Sequence, residues 1–308
     1  MLIHLDPLKD GFLGDHRVDG VPLLPTVMAV DLMARAALAG GPHARVALAD
    51  GLEARVAEIR DLQVGPPALF DGDQGREIEV LAVRDAATGP GPSFACRLRH
   101  AGHPSPHFGG RVVLTHSAPP VRESRPQSPL DARHPRSPLD VGPSLGAGDI
   151  YPPYFHGPAF RVIDGANWSG GFVVARLATG LPGLQWSSGP PVTVPALLEL
   201  CLQASGLWDL ATSGRMMIPA GVDQVVMNVA LNYRPADASL PIEARVRPRT
   251  SAAGRTTFDG EVADGWGRIL LVMRGYRTAD LGATVGADQA GRIRLAFDRD
   301  AAATAGRR

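Results

Sequence analysis

The sequence predicts an α+β fold made of two similar halves, each a single apolar helix packed on a mostly antiparallel sheet. Three observations lead there. A polar stretch from about His116 to Asp149, dominated by Pro, Ser, Arg and Gly, interrupts the apolar patterning and leaves halves of similar length on either side. Each half holds one helix-length run that is apolar around most of its circumference, as a buried helix must be. The remaining apolar runs are short, several alternate with polar residues, and Gly and Pro punctuate them, as in a sheet with one covered face. Composition alone does not separate this arrangement from other α+β folds. The motifs do.

Taken in order, the first half (1–118) opens on a loop from Asp6 to Leu24. A helix is predicted from Pro25 to Ala39, with Pro at a first helical position. Strands are predicted at Arg45–Leu48, Ala54–Val64, Glu77–Val83, Ser93–Arg99 and Arg111–His116, with turns at Gly72-Asp73 and Gly89-Pro90-Gly91-Pro92. Residues 119–149 read as a linker. The second half (150–280) repeats the plan: strands at Phe160–Trp168 and Phe172–Leu177, a helix from Pro195 to about Leu210, then strands at Val222–Tyr233, Ile242–Arg247, Thr256–Ala263 and Arg268–Arg277. The polar residues 281–308 read as a tail or a further linker.

The chain of 308 residues is long enough for two packed subdomains, and its 44% apolar content suffices for a core. Lys+Arg and Asp+Glu both number 31, so no net charge marks a nucleic-acid or anionic-membrane binder, although a local patch could receive an acidic carrier protein. Cys96 and Cys201 lie in apolar runs without metal-ligand spacing and read as reduced core thiols of a cytoplasmic protein. No run of 18 apolar residues and no basic-then-apolar leader is found, so neither a membrane span nor a signal peptide is expected.

Three constellations carry chemistry. His16, Gly20 and Pro25 stand in the spacing HxxxGxxxxP, which puts a histidine in a loop just before a buried helix. Histidine is the side chain best suited to take a proton near neutral pH, and Gly20 would allow a tight backbone path beside a ligand. Any one of nine histidines alone reads as a surface or satisfied side chain; the full spacing is far more specific. Tyr154, Phe155, His156, Gly157, Pro158 and Phe160 surround a Gly-Pro that opens the second half. They read either as a packing turn or as the wall of a substrate tunnel. Glu199 and Gln203 are four residues apart on one face of the second apolar helix, which begins at Val194-Pro195. A carboxyl there is paired, neutral or functional, and burial gives it the raised pKa of a general acid. A lone helical Glu more commonly reaches solvent or an arginine.

Together, in this order and separation, the three resemble the dehydratase domains of polyketide and polyunsaturated-fatty-acid synthases, over roughly residues 1 to 280. His16-xxx-Gly20-xxxx-Pro25 is similar to that family's histidine motif, Phe155 to Phe160 to its aromatic-Gly-Pro-x-aromatic motif, and Pro195 to Gln203 to the helix bearing its acid. Three positions depart: Glu199 stands where Asp is usual, Val194 where the pattern has a histidine, and His156 where it has Tyr before Gly-Pro.

The resemblance implies a double hotdog, each helix wrapped by a curved sheet, and a carbon–oxygen lyase that removes water from a β-hydroxyacyl thioester on the phosphopantetheine of an acyl carrier protein, with no metal or cofactor of its own. It implies His16 as base and Glu199 as acid, with Gln203 orienting Glu199. Backbone N–H groups near Gly157 and at Val194 would polarise the thioester carbonyl, while Gly20, Pro25, Tyr154, Phe155, His156, Pro158 and Phe160 shape the substrate site. Partners would be the carrier protein and neighbouring synthase domains, with a homodimer as one option. Competing readings keep the fold and change the reaction, to olefin isomerase, oxa-cyclase or thioesterase, or make the domain a non-catalytic acyl-binding scaffold. Rossmann, P-loop and GxSxG signals are absent.

Overall fold

The computed structural model describes residues 1–40, 54–85, 91–116, 139, 145–182, 184–229, 241–250 and 256–305. The expected strand at 45–48 and most of the expected linker fall outside them. Before the first long helix come β1 (Leu2–Leu5), a one-turn α1 (Gly11–Gly14) and a hairpin of β2 (Arg17–Val18) and β3 (Val21–Pro22). The apolar run then forms α2 (Thr26–Gly40), buried on most sides from Val27 to Ala37. The sheet of this half is β4 (Arg55–Val64), β5 (Arg76–Asp85), β6 (Ser93–His100) and β7 (Phe108–Thr115).

The second half starts earlier than expected, with β8 (Leu145–Gly146) and α3 (Ala147–Ile150). A 3-10 turn at Pro158–Phe160 follows, then β9 (Ile163–Ser169), β10 (Phe172–Leu177), α4 (Pro195–Ser213), β11 (Arg215–Met227), β12 (Ile242–Thr250), β13 (Thr256–Asp264) and β14 (Ile269–Thr284). Helix α4 takes Pro195 at its first position and stops at Gly214, whose φ of 68° is left-handed. Strand β11 begins seven residues before the expected Val222, because Pro219 lies in a register shift beside Gly221 where a bulge tolerates it.

All these strands except β2 and β3 belong to one sheet, in the order β1-β5-β6-β7-β4-β11-β14-β13-β12-β10-β9-β8. The halves join where β4 pairs antiparallel with β11, Leu62 opposite Val222 and Ile59 opposite Val225. Helix α2 packs against β4 to β7, α4 against β9 to β14, and the helices touch each other. Each half of the sheet wraps one helix, and both free thiols, Cys96 and Cys201, are buried.

The expectation of a polar tail at 281–308 is overturned. Strand β14 runs on to Thr284 and α5 (Ala287–Ala305) packs on α4. Ile293 is fully buried, and the Phe297 ring meets Trp208 at 5.1 Å and Trp168 at 6.2 Å. Ala290, Ile293, Ala296 and Phe297 have helical spacing, a thin apolar stripe diluted by charged neighbours. Among the described residues no helix is long and apolar enough to cross a membrane.

Candidate active site

Asp15 stitches the halves together. Its carbonyl accepts the N–H of Gly157 at 2.7 Å and its carboxylate accepts that of Ala159 at 2.9 Å, at the start of the 3-10 turn. His16 and His156 then lie side by side as a backbone bridge, which brings a first-half histidine against the second half. Gly157 is glycine because of this contact: a Cβ there would come within 2.4 Å of the Asp15 carboxylate. Its N–H is therefore spent on Asp15, so the expected contribution to polarising a thioester carbonyl is corrected. Nothing in the sequence singles out Asp15, whose partners lie in the other half of the chain.

Two further expectations change. Gly20, with φ 79°, follows Asp19 with φ 50° at the exposed tip of the β2–β3 hairpin. Two successive positive φ values are those of a tight hairpin turn, so Gly20 serves the loop's shape rather than a ligand. Pro158 is exposed and opens the 3-10 turn. Pro25 is buried just before α2, and its carbonyl accepts the N–H groups of Met28 and Ala29.

His16 is 8% exposed, and its Nδ1 lies 3.0 Å from the carbonyl of Leu23. A carbonyl only accepts, so Nδ1 carries the proton and Nε2 keeps its lone pair. Burial pulls the imidazole pKa down to about 4, against the opposing pull of the Leu23 bond. His16 is thus neutral at pH 7 and holds a base facing inward. Around it stand Phe155 and Phe160, each 5.1 Å away between ring centres, and His156 at 5.5 Å.

Glu199 projects from α4 and is 6% exposed. Burial raises its pKa to about 7, only partly offset by the bond from Gln203 Nε2 to Oε1 at 2.7 Å. Gln203 is locked in turn. Its Nε2 also donates to the Phe160 carbonyl at 2.7 Å, its Oε1 accepts from the Tyr151 hydroxyl at 2.9 Å, and its own carbonyl accepts from the Tyr154 hydroxyl at 3.1 Å. Tyr151 accepts the N–H of Ile163 at 2.7 Å. The sequence shows Tyr151 only as one more aromatic near the Gly-Pro; the structure makes it the support of the residue that supports the acid. The Tyr154 ring stacks on His156 at 5.4 Å. His156 closes the ring of contacts, its Nε2 3.7 Å from Glu199 Oε1.

At the start of α4, the buried Val194 places its N–H beside that of Ala196, and neither has an acceptor among the described residues. Pro195 has no N–H. This helix start is the remaining candidate for an oxyanion contact.

The arrangement pairs a neutral base from one half with a carboxyl from the other that is still protonated near pH 7, both in apolar surroundings. The family model of the polyketide synthase dehydratase N-terminal domain matches residues 151–288. The chain superposes on a trans-AT polyketide synthase dehydratase domain from Brevibacillus brevis, with TM-score 0.65, 19% identity and 91% of this chain and 93% of that one covered. Its fold is the double hotdog of these dehydratase domains. The dehydratase domain of PpsC from Mycobacterium tuberculosis, solved in complex with C12:1-CoA, matches with TM-score 0.63 and 20% identity, covering 91% of this chain and 92% of that one. A large polyunsaturated fatty acid synthase polypeptide from a Thraustochytrium species is 24% identical over 247 residues, 78% of this chain. The chain spans only 8% of that relative's length.

Proposed function

We propose that this domain removes water from a β-hydroxyacyl thioester, giving the α,β-enoyl thioester during polyketide or fatty-acid chain assembly. The observation that carries the reading is the opposite tuning of two buried groups around one ring of contacts: His16 kept neutral, Glu199 kept protonated. His16 Nε2 takes the proton on the α carbon, and the electrons of that C–H bond become the new C=C bond. The β-carbon–oxygen bond breaks towards oxygen, which takes the Glu199 proton and leaves as water. His16 ends as imidazolium and Glu199 as carboxylate; transfer of one proton between them resets the site. The helix start at Val194 and Ala196 holds the thioester oxygen as charge builds on it. Gln203, fixed by Tyr151 and Phe160, keeps Glu199 turned to the substrate.

The substrate arrives on the phosphopantetheine of an acyl carrier protein, with neighbouring synthase domains as partners. The C12:1 ligand of the PpsC domain supports a medium-length acyl chain as the first to try. The reduced core thiols fit a cytoplasmic setting.

The test is incubation of the domain with a β-hydroxyacyl carrier-protein thioester and mass analysis of the product. Loss of one water is expected, and His16→Ala should slow it by about 10²- to 10⁴-fold, the range for losing a general base. Full turnover in that variant would remove His16 from the mechanism. Free acid as product would make the domain a thioesterase, and an unchanged mass with a shifted double bond or a closed ring would make it an isomerase or cyclase.

A further inference from the structure

Between base and acid stands a side chain that this reaction leaves without a task. His156 is 8% exposed; its Nδ1 is enclosed and has no hydrogen-bond partner among the described residues, while its Nε2 faces Glu199 Oε1 at 3.7 Å. Burial, helped by the Arg161 charge, keeps the ring neutral, so it carries one proton. On Nδ1 that proton would create a buried N–H donor with nothing to receive it, which costs more than an unused lone pair. The proton therefore sits on Nε2, aimed at Glu199.

The other contacts of the carboxyl give that N–H its meaning. Oε1 already accepts from Gln203, so the neutral acid carries its proton on Oε2. At 3.7 Å the His156 N–H is too far to bond a neutral carboxyl. When Oε2 gives up its proton, the negative charge shared with Oε1 draws the N–H in, because charge-assisted hydrogen bonds are shorter and stronger.

We propose, on the dehydratase reading, that His156 is a positioning residue acting through Glu199: its Nε2–H is a second donor reserved for the carboxylate, and so makes Glu199 a stronger acid as the hydroxyl leaves. An interaction that grows with the developing charge lowers the barrier, where one equally strong beforehand would not. The titratable and charged groups around the pair are His16 from the first half, Tyr151 and Tyr154 from the segment after α3, Arg161 after the 3-10 turn and Tyr276 from β14. The tyrosines stay neutral, since burial raises each of them above its ordinary value. Arg161, whose Nε donates to the His156 carbonyl at 3.1 Å, is a constant positive charge.

The experiment compares His156→Gln, His156→Asn and His156→Phe. Glutamine places an amide nitrogen where Nε2 stood; asparagine places one where Nδ1 stood; phenylalanine keeps the ring without a donor. Two readouts are followed, kcat and KM against pH, and the titration of the Glu199 carboxyl by ¹³C NMR, assigned with Glu199→Gln. The Asn and Phe variants should lose about tenfold in kcat with little change in KM, the size of one charge-assisted bond. Their Glu199 titration should move up by about one pH unit, since losing a donor to the carboxylate favours the neutral acid. Glutamine should restore both. The proposal is overturned if Glu199 titrates alike in all three variants, or if Asn restores what Gln does. The titration needs no substrate, so it decides this contact even if the wild-type domain fails to dehydrate, an outcome that would remove the dehydratase reading instead.

Discussion

Helix α2 buries the carboxyl of Asp31 and α4 buries those of Glu199 and Asp209; Asp31 and Glu199 are treated in opposite ways. Asp31 on α2 is completely buried and receives five donors. Oδ1 accepts the N–H of Val192 at 2.8 Å, and the N–H and hydroxyl of Thr193 at 2.7 Å each; Oδ2 accepts from Trp186 Nε1 at 2.7 Å and Arg35 Nε at 2.9 Å. Glu199 on α4 is nearly as buried and, among the described residues, receives one, from Gln203. The first carboxylate has its lone pairs used and pins the segment before α4 to the other half's helix. The second is left short of donors, and burial raises its pKa to about 7. A buried carboxyl rich in donors stays a carboxylate, whereas burial with few donors favours the neutral acid.

The strongest way to break this contrast is at Glu199. Glu199→Gln should lower turnover by about 10²- to 10⁴-fold, as for loss of a general acid, yet change stability by less than about 1 kcal/mol, because an under-bonded carboxyl contributes little to folding. Turnover assays and thermal melts together check it; a large loss of stability would make Glu199 a structural residue. Asp31→Ala should do the reverse in a melt. It leaves buried N–H groups without an acceptor and takes the ion-pair partner from Arg35, a cost of about 3–5 kcal/mol. Any loss of activity should follow the fraction unfolded. The third prediction sharpens the comparison with pH. The base works unprotonated, so kcat/KM should rise as pH climbs through about 4, the value of His16; the acid works protonated, so it should fall as pH passes about 7, the value of Glu199. A plateau continuing well above pH 7 would remove Glu199 as the acid.

Much of the fold is legible in the residues, because burial leaves a periodic imprint. Both central helices and the strands β5, β6, β10, β12 and β13 lie within a few residues of where alternation and turn residues put them. The misses have local causes. Strand β11 reaches back past Pro219, a residue that argues against a strand until a bulge absorbs it, and α5 reads as a tail because its four apolar contacts are thinned by arginines and aspartates. In the candidate site, His156 lies against both His16 and Glu199, and Gln203 bonds Glu199. Gly20 and Pro158 do not reach it, since residues that shape a loop and residues that line a pocket share one motif. Asp15, Asp31 and Tyr151 could not be singled out: each acts through a hydrogen bond to a segment distant or irregular in sequence.

By itself the sequence determined the two-lobed α+β plan, the apolar character of both helices and the placing of one imidazole just before the first helix and one carboxyl on the second, all consequences of periodicity and spacing along the chain. Only the tertiary structure decided which carboxyl is satisfied and which is short of donors, which ring nitrogen carries each proton, and that the Gly157 N–H belongs to Asp15. Those properties depend on which atoms meet within about 3 Å, and residues so brought together are as far apart in the chain as Asp15 and Gly157.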